Sequence, residues 1–147
     1  MAEKDVISTL NTLIETCRDG EQGFRTAAEN LKDTQVKSFF TEKAQERAKF
    51  AEELKEEVQR LGGRPDEGGS TAGAAHRGWM NIKAAVTGHD DTRIIAEAER
   101  GEDVAVATYQ TALEQPLPPA VESVVSRQYT HVKEAHDRVR DLERASE

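Results

Sequence analysis

The chain is 147 residues long, 33% charged and only 5% aromatic, with a formal net charge of −8. That length suits a single domain with one real core, and its Ala, Glu, Arg and Lys content favours helix. The acidic balance argues against the basic face that nucleic acid or an anionic membrane surface would require.

Apolar residues spaced alternately by three and four mark the inward face of a helix. The first predicted helix, about 3–32, carries Leu10, Ile14, Cys17, Phe24, Ala28 and Leu31, with Glu21 in line. The tight turn "KDTQ" offers Asp33 or Thr34 as the next N-cap. The second helix, about 34–61, aligns Phe40, Ala44, Arg47, Ala51, Leu54, Val58 and Leu61. A Gly/Pro-rich start opens the crossover at about 62–90, whose later part predicts one short helix with Ala72, Ala75, Trp79, Ile82 and Val86 inward. The third helix, about 91–114, presents Ile95, Ala98, Glu102, Ala105, Tyr109 and Ala112, and "EQPLPPA" stops it. The fourth, about 119–145, presents Val121, Val125, Gln128, Val132, Ala135, Val139 and Leu142.

The third and fourth stripes repeat the first and second 81 residues later: Glu21 falls on Glu102, Arg47 on Gln128, and Leu61 on Leu142. Two such hairpins can bury their stripes only against each other, which predicts an all-α four-helix bundle built as a duplicated hairpin. A connection as long as 62–90 can run the length of the bundle, so the expected topology has a single long crossover. The whole chain, 1–147, is expected to form one domain.

Each stripe carries one polar residue near its middle: Glu21, Arg47, Glu102 and Gln128. The repeat places the four at one level, and the Gly-Glu pairs 20–21 and 101–102 look like one device used twice. An arginine between two carboxylates would neutralise them through bidentate hydrogen bonds.

With "AQERAKFAEEL", "LGGRP", "AHRGW", "ERGEDVAVATYQTAL" and "VKEAHDRVRDL", nearly the whole chain resembles the ferritin-like superfamily, and within it a bacterial family of uncharacterised stand-alone bundles. In metal-loaded relatives each of two helices gives a glutamate and each of the other two a Glu-x-x-His. Glu21 and Glu102 match the lone glutamates. Glu46 is followed at that interval by Lys49, and Gln128 precedes His131 where an acid would be expected. The resemblance thus implies either a metal-free centre filled by Arg47, with no cofactor, or an iron or manganese site on Glu21, Glu46, Glu102 and His131, with Tyr109 nearby.

The remaining candidates are bland. The first ten residues lack a signal peptide's basic and apolar regions, no apolar run approaches transmembrane length, and Cys17 has no internal disulfide partner, so the expected location is cytoplasmic. Cys17 itself reads as a buried small hydrophobe. His131 and His136 lie about 140° apart around a helix and cannot chelate together; His136 suits a surface hydrogen bond to Asp137. His76 is placed to line a groove with Arg77 and Trp79, although Trp79 as an anchor for the crossover is the simpler reading. No phosphate-binding loop, nucleophile elbow or Cys-x-x-Cys occurs. The expected function is non-catalytic, through homodimer formation or a protein partner and with a stress role implied by the resemblance. The rival is a metal-dependent oxidase or peroxide-handling protein.

Overall fold

The computed structural model describes residues 3–65, 74–88 and 90–146. These residues form six helices: α1 (Glu3–Asn30), α2 (Thr34–Arg60), α3 (Ala74–Trp79), α4 (Ile82–Thr87), α5 (Asp91–Leu113) and α6 (Pro119–Ser146). The four long ones match the predicted spans to within two residues, and no strand occurs among the described residues. The crossover holds two short helices rather than one, because the chain breaks at Met80–Asn81. Trp79, Ile82 and Val86 are buried as expected; Ala72 and the side chain of Ala75 lie outside the described residues.

Local chemistry sets the ends. Asp33 caps α2, its carboxylate accepting from the backbone N–H groups of Gln35 and Val36 at 2.9 and 3.1 Å. Gly62 ends α2 in the left-handed region at φ 81°, and the Gly63 N–H returns to the Val58 carbonyl at 2.9 Å. Asp90 caps α5 by accepting from Thr92 N at 3.0 Å. Pro119 opens α6 at its first position, where a backbone N–H would have no partner within the helix.

The path of the chain follows from two contacts at opposite ends. Asp91, at the start of α5, accepts from the Lys32 and Asp33 backbone N–H groups of the α1–α2 turn at 2.9 and 3.0 Å. Thr9, near the start of α1, donates to Gln115, just past α5, at 2.7 Å. Helix α5 is therefore antiparallel to α1 and parallel to α2, and the segment between α2 and α5 crosses the length of the bundle. Helix α6 returns antiparallel to α2, with Arg127 on Glu53 at 2.8 Å and Arg138 over the Phe39 ring at 5.5 Å. Helices α1, α2, α6 and α5 thus surround the core in that order, and α3 and α4 lie over the α1–α5 seam. Replacing Asp91 with alanine removes the tie between turn and helix; urea unfolding is expected to show a loss of about 1 kcal/mol, the scale of a lost cap.

The interior has two apolar halves. One gathers Leu10, Leu13, Ile14, Leu54, Val58, Tyr109 and Val125, and the other Phe24, Phe40, Trp79, Ile94, Ile95 and Val139. Between them lie Arg47 and Glu102, both fully buried. Among the described residues no helix is long and apolar enough to cross a membrane.

Candidate functional site

Helices α2 and α5 each deliver one charge to the centre. Arg47 donates to both carboxylate oxygens of Glu102, from one guanidinium nitrogen at 2.8 Å and the other at 2.5 Å. The two side chains are 1% and 0% exposed. Burial opposes the guanidinium charge, but the Glu102 charge and its hydrogen bonds outweigh that and hold the Arg47 pKa above its ordinary value. The Phe24 ring lies 5.3 Å from Cζ, a cation–π contact on the side toward the second apolar half. The Nε hydrogen finds no acceptor.

Gln128 of α6 joins a different chain of bonds, with residues one to two turns beyond Arg47 and Glu102. Tyr109 Oη donates to Gln128 Oε1 at 2.8 Å and lies 3.1 Å from Cys17 Sγ. With its own proton committed to Gln128, Tyr109 accepts from the thiol. The Gln128 amide donates to the Phe50 carbonyl at 3.2 Å and to Glu53 at 2.9 Å, and Glu53 also receives Arg127. A buried line of hydrogen bonds thus runs from Cys17 to the α2–α6 surface. Burial pushes the Cys17 thiol up to about 11, with the Arg47 charge opposing, and burial also raises Tyr109. The thiol is protonated near neutrality and is a poor nucleophile.

Glu21 does not join this layer. It lies half-buried at the surface and accepts from Arg25, one turn on, at 2.7 Å. Its neighbour Gly20 faces inward instead: a Cβ there would stand 3.0 Å from an Arg47 guanidinium nitrogen. The two Gly-Glu pairs are therefore not equivalent. In the first the glycine clears space for Arg47, and in the second Glu102 turns in to meet it. Gly101 serves another purpose, because its Cβ would fall 2.2 Å from the Trp79 indole. Gly23, one turn along α1, meets the same indole from the opposite helix, also at 2.2 Å. Trp79 thus sits pinched between α1 and α5.

The residues do not fit the two-metal centre of ferritin-like relatives. Both Glu102 oxygens are taken by a cation that cannot deprotonate, Gln128 supplies an amide already bonded at both ends, and Glu21 points away. Glu46 lies at the surface with Lys43, and His131 approaches it only to 3.9 Å while remaining exposed. Glu21, Glu46, Glu102 and His131 are therefore not brought together. Among the described residues no three His, Cys, Asp or Glu side chains converge as a metal site.

A second ionisable cluster lies on the α5–α6 seam. His136 Nε2 is 2.6 Å from Asp103 and its Nδ1 is 3.0 Å from Asp137, so a carboxylate faces each ring nitrogen, with Lys133 and Arg140 beside Asp137. Partial burial lowers the His136 pKa, and the two carboxylates more than reverse this. Farther along, a hydrogen bond that protonated Glu143 donates to Glu99, then burial, pushes Glu143 up to about 7, with Arg144 opposing. Both groups are raised, so the stability they contribute is fully present below their unfolded values and is lost as pH rises through the folded ones. Thermal melts are expected to give a higher midpoint near about pH 5.5 than near about pH 8, and the His136→Asn, Glu143→Gln double variant to flatten that difference.

A family described as "Domain of unknown function (DUF2383)" matches residues 5–115. A solved two-domain protein from Anabaena variabilis, containing DJ-1/ThiJ/PfpI-like and ferritin-like domains, is similar in fold with a TM-score of 0.78 at 17% identity. That match covers 99% of this chain, which spans only 37% of the two-domain protein. No curated protein matches the chain. With the family match extending over most of the sequence and the bundle laid out as above, the chain belongs to the DUF2383 family and has a ferritin-like fold.

Proposed function

We propose that the protein is a non-catalytic, cytoplasmic ferritin-like bundle that works through contacts with other proteins, including a second copy of itself. The observation that carries this reading is the bidentate Arg47–Glu102 pair, fully buried between the two apolar halves of the bundle. A guanidinium there supplies a fixed positive charge, which cannot change oxidation state or bind oxygen. The pair keeps the bundle intact and leaves the outer helix faces to carry the role. A stress setting follows from the family resemblance alone.

The test is elemental analysis of protein purified without chelator from cells grown with iron and manganese, together with sedimentation velocity. Substoichiometric metal and association at micromolar concentration are expected. Stoichiometric iron or manganese that also raises the melting temperature would replace this reading with a metal-dependent one. A strict monomer at high concentration would remove self-association and leave partner binding.

A further inference from the structure

The crossover does more than close the bundle. Between α1 and the α3–α4 segment lies an open groove of about 380 Å³, lined by Asp19 and Gln22 on one side and by His76, Trp79, Met80 and Lys83 on the other. Its middle is apolar. Met80, at the break between α3 and α4, is 60% exposed and is the one large hydrophobic side chain exposed among the described residues. It lies beside the buried Trp79 that α1 and α5 pinch. A flexible thioether held out in this way is a common feature of adaptable protein-binding surfaces.

The ends of the groove are charged and unmatched. At one end Asp19 makes no ion pair among the described residues, and its Oδ2 is buried without a hydrogen-bond partner. Burial, then the nearby Glu15 charge, holds the Asp19 carboxyl above its ordinary range, while His76 pulls it down. A cationic donor would relieve that arrangement. At the other end Lys83 also makes no ion pair among the described residues. The crossover follows α1 in the same direction, with His76 beside Asp19, Trp79 at Gly23, and Lys83 and Thr26 both lining the groove beyond them. The seven-residue step along α1 from Asp19 to Thr26 spans about 10 Å. A single small zwitterion with adjacent ammonium and carboxylate does not reach across that distance. Residues seven apart on a second helix do.

We propose that this groove receives a helix of a partner protein, which sets a Lys or Arg on Asp19, an apolar side chain against Met80, and an Asp or Glu one heptad away on Lys83. This inference rests on the protein-contact reading above and names one of its surfaces.

The experiment places a photo-cross-linking benzophenone amino acid at position 80 of the full chain, in the cells that make it, with the same probe at exposed Ser126 on α6 as a control. Met80 is at the surface, so the probe leaves the core untouched. The expected product from position 80 is a partner whose cross-linked segment, mapped by mass spectrometry, is helical with a basic and an acidic residue seven apart. Asp19→Lys is expected to cut its yield about tenfold, and reversal of the partner's matching basic residue to restore it. Products from position 126 alone would overturn the groove assignment while leaving the protein-contact reading in place. A cross-linked second copy of the chain would show the groove to be a self-association surface and overturn the proposal. No product at either position would count against both, and a product insensitive to Asp19→Lys would overturn the charge-matched docking.

Discussion

Arg47→Met is expected to destabilise the protein by roughly 3–5 kcal/mol, the cost of leaving one member of a buried ion pair without its partner. For a chain of this length that corresponds to a fall in melting temperature on the order of 10–15 °C. The loss does not come from packing, since methionine keeps most of the aliphatic stem. It comes from Glu102, fully buried and then facing only an apolar side chain. The double variant Arg47→Met, Glu102→Leu is expected to recover most of it, because an apolar pair of similar volume is often as stable as the ion pair or more so. Adding Gly20→Ala to the double variant is expected to help further. The guanidinium nitrogen 3.0 Å from that Cβ position would be gone, and alanine is worth about 1 kcal/mol over glycine inside a helix. Melts with and without Fe²⁺ or Mn²⁺ distinguish the origins of the effect. A small loss for Arg47→Met, together with a gain of several degrees from metal in the parent protein, would mean that the guanidinium does not carry the centre.

The helices, the crossover and the inward arginine were legible in the sequence because each leaves a periodic trace. Arg47 shares a stripe with Phe40, Ala44, Ala51 and Leu54, and Glu102 one with Ala98 and Ala105. Glu21 was misplaced for a physical reason. Positions 20 and 21 lie only about 100° apart on a helix, so the stripe from Cys17 to Phe24 passes between them. Which one faces inward is decided by the occupant of the opposite helix. Arg47 needs the space above Gly20, and Arg25 gives Glu21 a partner one turn along the surface. Periodicity within one helix contains neither fact. The same holds for the line from Cys17 through Tyr109 and Gln128 to Glu53. Tyr109 and Gln128 could be placed inside, and a buried hydroxyl and amide must find partners, but the pairing depends on the axial register of three helices. Asp91 tying down the α1–α2 turn left no local signal at all, since its acceptors' donors are backbone N–H groups 58 and 59 residues away.

Gly23→Ala and Gly101→Ala are expected to reverse the sign of their effect when Trp79 is removed. In the parent protein either methyl would fall 2.2 Å from indole carbons, far inside van der Waals contact. The indole cannot retreat, because the other glycine's helix holds its opposite side. Edge-on contact with Phe24, at 5.1 Å between ring centroids, closes a further direction. Each substitution is therefore expected to cost roughly 1–3 kcal/mol from overpacking, even after the gain in helix propensity. Trp79→Ala alone is expected to cost roughly 3–5 kcal/mol, through the cavity left between α1 and α5. In that background the three atoms nearest the added methyl are gone, and Gly101→Ala is expected to stabilise by about 1 kcal/mol, the bare helix-propensity term. The four corners of this double-mutant cycle, measured by urea unfolding, should therefore yield a coupling of several kcal/mol between residues 79 and 101. A coupling near zero would mean that the crossover does not seat its indole between the two glycines. The bundle would then owe those glycines to something other than Trp79.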